Sequence, residues 1–232
     1  MQSAALSAPK SAPKRSTPLQ IRNLLFDLDG TLTDSRPGIL ACVEFAMKEL
    51  TQPIEEDLSF CLGPPLHQSF ARLLKTDDPE RVAHAVALYR KRFVDVGMFE
   101  NSVYHGIPEM LATLQSSGHR LFVATSKVEK YAVQILTHFR LDHFFDRIYG
   151  SEMDGRLANK GELIRHLLAK EDLVPAKSWM VGDREHDIHG AKQNGLTSLG
   201  VLWGYGSATE FEAAGADHFL ATPKCITHLA CR

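Results

Sequence analysis

The stretch LLFDLDGTLTDS (residues 24–35) opens as an apolar run, throws out Asp27 and Asp29 one residue apart, and turns at Gly30 and Thr31. Side chains at i and i+2 of a strand share a face, so as this strand ends its two carboxylates converge on one point. Like charges held that close repel unless a cation or a shared proton relieves them. Asp and Gly also favour turns for purely local reasons. The pair by itself is therefore equally a turn or a site, and what decides is what the rest of the chain brings to the same place.

Behind the turn, residues 35–50 set Ile39, Leu40, Val43, Ala46, Met47 and Leu50 at helical spacing after Ser35 and Pro37. Two more helical patterns follow, LHQSFARLLK and PERVAHAVALYRKRFVDVG, with Gly97 standing where a C-terminal glycine ends a helix. The next strand-like segment, HRLFVATS (119–126), begins about 90 residues after Asp27, too far for an ordinary connection. The gap predicts an inserted all-helical cap domain over residues 34–103. From Gly106 the pattern alternates: helices over 107–117, 128–139, 160–170, 187–194 and 208–214, and strands over 120–125, 147–150, 178–182, 197–202 and 217–220. This βαβ repetition predicts an α/β fold, a doubly wound parallel sheet formed by residues 19–33 and 104–232. Such sheets bind ligands beyond the carboxyl ends of their strands.

Composition narrows the function classes. The apolar content of 44% is that of a soluble globular chain, and a net charge of −2 gives no basic field for a nucleic-acid backbone. No apolar run is long enough to span a bilayer. Cys42, Cys61, Cys225 and Cys231 form no CxxC pair or tight cluster, which predicts reduced thiols and a cytoplasmic setting. Residues 1–18 are rich in Ala, Ser and Pro, carry only basic charges and lack an apolar signal core. They read as a disordered tail, with an organellar transit peptide as the rival reading. Oligomeric state is open between monomer and homodimer.

Four further groups reach the same sheet edge. Thr125 and Ser126 leave the strand LFVA; Ser126 with Glu129 spells a capping box, which predicts Ser126 as the cap and Thr125 as the free hydroxyl. Lys160 falls in the first turn of a helix capped by Asn159 and Glu162, where the helix dipole disfavours a cation, so an anion beside it is expected. GDREHD (182–187) supplies Asp183, Glu185 and Asp187 around a helix start, although acids decorate helix N-termini for stability alone. His186 and His189 lack metalloprotease spacing and read as surface or packing residues, and no Walker-type loop is present. The run Gly204–Ser207 is a turn that lies at the same edge.

Taken in this order, DLDGT (Asp27, Asp29), ATSK (Thr125), Lys160 and GDREHD (Asp183, Asp187), the motifs resemble those of the haloacid dehalogenase superfamily of phosphatases. Within it the chain is similar to the phosphoglycolate phosphatase and 5′-nucleotidase-like group with a helical cap, through TDSRPGI, LGPPLHQSF and GVLWGYGS. The resemblance implies a Rossmann-like core and a phosphomonoester hydrolase acting on a small phosphorylated metabolite. It implies Asp27 as the nucleophile that forms an aspartyl-phosphate and Asp29 as general acid and base. Mg²⁺ would lie between Asp27, the Asp29 carbonyl and Asp183, with Asp187 in support. Gly30, Thr125, Ser126 and Lys160 would hold phosphoryl oxygens. Asp29 argues against a dehalogenase, whose leaving group needs no proton, and the helical segment offers no lysine suited to a phosphonatase Schiff base. A sugar phosphomutase of the β-phosphoglucomutase kind is the alternative enzyme, although LGPPL is apolar where such a cap offers an arginine. A phospho-aspartate signalling or binding protein is the alternative outside catalysis, and the helical insertion after the first strand fits it poorly. The Gly63–Ser69 loop and Arg36 are expected to face the site.

Overall fold

A computed structural model describes residues 21–231; the tail expected at residues 1–18 lies outside the described residues. Strand β1 (Asn23–Phe26) is buried along its whole length, and it pairs in parallel with β4 (Arg120–Val128) on one side and β6 (Ser178–Gly182) on the other. A central strand covered on both faces needs apolar side chains on both. Its period of two divides them: Leu24 and Phe26 join one apolar cluster with Leu121, Val123, Trp179 and Val181, while Leu25 joins the other with Phe122, Ala124 and Met180. Each such side chain contributes roughly 1.5–3 kcal/mol on burial, so a slip of one residue would exchange both faces at once.

The six-stranded parallel sheet has the order β5-β4-β1-β6-β7-β8, with β5 (Arg147–Ser151), β7 (Thr197–Val201) and β8 (His218–Leu220) completing it. Helices α4 (Ile107–Ser116) and α5 (Glu129–His138) place their buried residues in the first cluster, and α6 (Lys160–Lys170) places Leu163, Ile164, Leu167 and Leu168 in the second. Helices thus cover both faces, which is the doubly wound α/β architecture expected. Helices α7 (Glu185–Gln193) and α8 (Ala208–Ala214) meet through Ile188 and Phe211. A last helix, α9 (Pro223–Ala230), buries Ile226 against the first cluster and was not foreseen.

Between β1 and β4 the chain forms α1 (Arg36–Glu49), α2 (Leu66–Leu73) and α3 (Pro79–Asp95). It leaves and returns through two short paired strands, β2 (Thr33–Asp34) and β3 (Ser102–Val103). Apolar residues of these helices, among them Cys42, Phe70, Tyr89 and Phe93, continue the cluster on the first face of the sheet. Helix α3 ends at Asp95 with Val96 as its cap, and Gly97 does not take the left-handed backbone expected of a glycine stop. Gly97 is instead pressed against α1, where a Cβ would overlap the Cys42 sulfur. All four cysteines are free thiols. Among the described residues no helix is long and apolar enough to cross a membrane.

Candidate active site

The strand order reverses around β1, and the crevice at the carboxyl ends of β4, β1 and β6 is the place where such sheets bind ligands. Asp27 follows β1, its N–H donating to the Val181 carbonyl at 2.9 Å. The chain then coils tightly, the Leu28 carbonyl accepting from the N–H groups of Thr31, Leu32 and Thr33. Buried Leu28 and Leu32 anchor this turn, so Asp27 and Asp29 are both presented to one cavity. Gly30 has φ +79°, and a Cβ there would overlap the Asp183 carboxylate. Only glycine meets both demands.

Lys160 is buried, and the anion expected beside it is two anions. Its Nζ lies 3.0 Å from Asp27 Oδ1 and 2.9 Å from Asp187 Oδ1, and it donates to the Ala124 carbonyl at 2.8 Å. The Asn159 side chain caps α6 at the Glu162 N–H, as the sequence implies. Burial alone would depress the lysine's pKa, but the charges of Asp187 and Asp27 outweigh it and raise it. The ammonium is therefore permanent at physiological pH.

Asp183 follows β6 and is fully buried. Its Oδ2 accepts from the Tyr205 N–H at 2.8 Å, while Oδ1 has no partner. Burial first, and the neighbouring charges of Asp27 and Asp187 second, push its carboxyl well above the usual range. Asp187 is also raised, mainly by burial, and its Oδ2 accepts from the Arg184 N–H at 3.2 Å. One oxygen each of Asp27, Asp183 and Asp187 lie within 4.8 Å of one another. Three carboxyl groups crowd around one ammonium, and an orphaned buried oxygen such as Asp183 Oδ1 is costly unless something binds it. An all-oxygen set of this kind suits a hard divalent cation; the His and Cys ligands of a zinc site are absent from the cluster.

Thr125 is buried and lines the cavity with Ser126. The capping box expected at Ser126 does not form: β4 continues irregularly to Val128, which pairs with Ser151, and α5 starts only at Glu129. The strand holds Ser126 extended, and the Glu129 carboxylate accepts from the Gly150 N–H instead. Gly63, Pro64, Pro65, Leu66 and His67 line the cavity, whereas buried Ser69 does not. Arg36 does not face the cavity; it is exposed and stacks its guanidinium 5.1 Å from the Tyr205 ring centre. His186 is on the cavity wall and His189 is exposed away from it.

The sequence marks three further residues of the site only through the segments that contain them, ATSK, GDREHD and the Gly204–Ser207 run. Lys127 places its Nζ 3.0 Å from Asp29 Oδ2. Arg184 ties α8 to the loop before α2, pairing with Glu210 at 2.9 Å and donating to the Leu62 carbonyl. Tyr205, besides its N–H on Asp183, donates its hydroxyl to Asp34 Oδ1 at 3.0 Å and accepts from the Arg36 N–H at 3.0 Å. The Gly204–Ser207 run is thus a strap between Asp183 and the β2 connection. A Cβ on Gly204 would overlap the Gly30 carbonyl and Asp183. Gly204→Ala is expected to cost about 1–3 kcal/mol, the range of core overpacking; thermal unfolding checks it, and an unchanged midpoint would contradict the packing described.

The family model for haloacid dehalogenase-like hydrolases matches residues 24–201, which contain every residue of the cluster. The chain belongs to the haloacid dehalogenase-like hydrolase family. It is 46% identical over 209 residues to a 5′-nucleotidase of Pseudomonas aeruginosa, covering 89% of this chain and 94% of that protein. It is 39% identical over 187 residues to the tyrosine-protein kinase PtkA of Mycobacterium tuberculosis, covering 80% of this chain and 63% of that longer protein. Among solved structures it is similar to a predicted phosphatase from Clostridium acetobutylicum, with a TM-score of 0.86, 39% identity, and coverage of 90% of this chain and 98% of that one.

Proposed function

We propose that this haloacid dehalogenase-like hydrolase is a Mg²⁺-dependent phosphatase that cleaves small phosphomonoesters through an aspartyl-phosphate on Asp27. The observation that carries the reading is the convergence of Asp27, Asp183, Asp187 and Lys160 on one cavity that Asp29, Thr125 and Ser126 also line. Phosphoryl transfer is mostly positioning and charge neutralisation. Lys160 holds Asp27 Oδ1 in place, which leaves the other carboxylate oxygen to attack phosphorus as the bond to the leaving oxygen breaks. Asp29 gives that oxygen its proton. In the second half Asp29 takes a proton from water as the water attacks phosphorus, which releases inorganic phosphate and regenerates Asp27. Thr125, the Ser126 N–H, Gly30 and Lys160 hold the remaining phosphoryl oxygens. Asp27, the Asp29 carbonyl and Asp183 would hold Mg²⁺, with Asp187 behind them, and the ion when bound supplies positive charge to the transferring phosphoryl group.

Residues 34–103 act as a lid on the core expected at residues 19–33 and 104–232, of which 21–33 and 104–231 are described. The arrangement of α1–α3 supports this, because Ile39, Leu66, Tyr89 and Phe93 of these helices line the same cavity as Asp27. The cavity is about 260 Å³, suited to a metabolite and not to a macromolecule. Phosphoglycolate and nucleoside 5′-monophosphates are the substrate classes that relatives' names bring forward.

A phosphate-release screen with Mg²⁺ across phosphoglycolate, nucleoside monophosphates and sugar phosphates tests the reading. Hydrolysis of one class is expected. Isomerisation of a sugar phosphate without net phosphate release would replace the hydrolase by a mutase. Chelation followed by dialysis is expected to abolish turnover and Mg²⁺ to restore it. Mg²⁺ is also expected to raise the thermal midpoint of the substrate-free protein, because an ion that binds only the folded cluster stabilises it by mass action. Undiminished activity after chelation would remove the metal from the proposal.

A further inference from the structure

We infer that Lys127 is a positioning residue for Asp29, and that Phe93 on α3 keeps Lys127 in that place; the inference rests on Asp29 serving as acid and base. Lys127 lies two residues beyond Thr125 on the irregular end of β4, with its N–H on Thr125 Oγ1 at 3.3 Å. Lysine ordinarily carries its ammonium into solvent, yet this side chain is only 9% exposed. Its Nζ sits 3.0 Å from Asp29 Oδ2 and 4.6 Å from the centre of the Phe93 ring. That ring is itself fixed, stacked on Tyr89 at 5.6 Å and edge-on to Tyr131 at 5.5 Å. The aromatic face favours a cation above it, so the ammonium is held from two sides, by the core's acid and by the inserted helix.

The two oxygens of Asp29 are thereby divided. Oδ2 is held by Lys127, and buried Oδ1 has no partner. A group that passes a proton in both directions must keep one orientation toward the reacting atoms, and the Lys127 contact limits the turning of the Asp29 carboxyl. Because Phe93 belongs to α3, the anchor is complete only while the helical segment is seated. The acid and base is therefore aimed when the cavity is closed.

The readout is kcat/KM on two substrates, which covers the steps through cleavage of the ester bond. One substrate is the phosphoglycolate or nucleoside monophosphate turned over fastest, whose alkoxide must receive a proton. The other is p-nitrophenyl phosphate, whose phenolate leaves without one. For Lys127→Met, kcat/KM on the alkyl ester is expected to fall about 10- to 100-fold, a share of the 10²–10⁴ that general acid–base catalysis supplies, and on the aryl ester by less than about 3-fold. Lys127→Arg should recover most of the loss, and Phe93→Leu should show the same selectivity at smaller amplitude. Circular dichroism and the thermal midpoint of each variant report folding. An equal loss on both esters, or none on either, would overturn the inference. Asp29→Asn run in parallel separates the two levels. If it too fails to discriminate, the acid–base reading falls and takes the inference with it; if it discriminates while Lys127→Met does not, Lys127 alone is misassigned.

Discussion

Replacing Asp27 by Asn is expected to lower phosphate release by about 10⁴-fold or more, the scale on which loss of a nucleophile is felt, with the protein fully folded. Asn keeps the shape of the side chain but offers no carboxylate oxygen to attack phosphorus. Its effect on stability should run the other way. In the metal-free protein the carboxyl groups of Asp27, Asp183 and Asp187 crowd within 4.8 Å, and Lys160, paired with Asp27 and Asp187, is the one cation of the cluster. Neutralising Asp27 removes repulsion and leaves Lys160 paired with Asp187 at 2.9 Å. The thermal midpoint is therefore expected to stay level or rise. Phosphate release and thermal unfolding measured on the same preparation check both halves; normal turnover would move the nucleophile elsewhere, and a collapse in stability would mean that Asp27 is held for structure. Many functional sites trade stability in this way, because the charge arrangement that suits a reaction is not the one that suits the folded chain.

The parts of this site that were legible in the sequence are those fixed by local backbone geometry. Asp27 and Asp29 follow a strand whose apolar run is unmistakable, and Lys160 was marked by standing on the wrong end of a helix dipole, where the structure sets Asp27 and Asp187 beside it. The parallel sheet was legible because β1, β4 and β6 carry continuous buried apolar runs, Leu24–Phe26, Leu121–Ala124 and Trp179–Val181. Ser126 was misread because a capping box is a local pattern, and here a tertiary pairing of Val128 with Ser151 keeps the strand going past it. Gly97 failed for a related reason: a glycine that stops a helix and a glycine that lets two segments touch look alike in the sequence, and contact with Cys42 is the demand on this one. Lys127, Arg184 and Tyr205 have partners far away in the chain, at Asp29, Leu62 and Asp34, and no spacing rule links positions that meet only through topology.

Lys160→Met carries the largest expected cost to the fold. Methionine fills nearly the same volume, so packing around α6 changes little, but the buried ammonium that faces Asp27, Asp187 and the Ala124 carbonyl is gone. Removing one partner of a buried charge network costs on the order of 3–5 kcal/mol, because the acids left behind are neither solvated nor paired. Added Mg²⁺ should return part of that loss by supplying another cation to the same oxygens, so the destabilisation measured by denaturant unfolding is expected to be largest after chelation. Activity should fall by roughly 10²–10³-fold, the scale of losing one electrostatic contact to a developing charge, and Mg²⁺ should not restore it, since the ion cannot also stand where Nζ stood. The double variant Lys160→Met with Asp187→Asn distinguishes charge balance from simple packing. Neutralising Asp187 removes one of the uncompensated acids, so the pair should be more stable than Lys160→Met alone, a coupling of about 0.5–3 kcal/mol, while remaining as inactive. Strictly additive losses would mean that Lys160 and Asp187 do not depend on each other, and the ion-pair network at the end of β1 would have to be abandoned as the organising feature of this site.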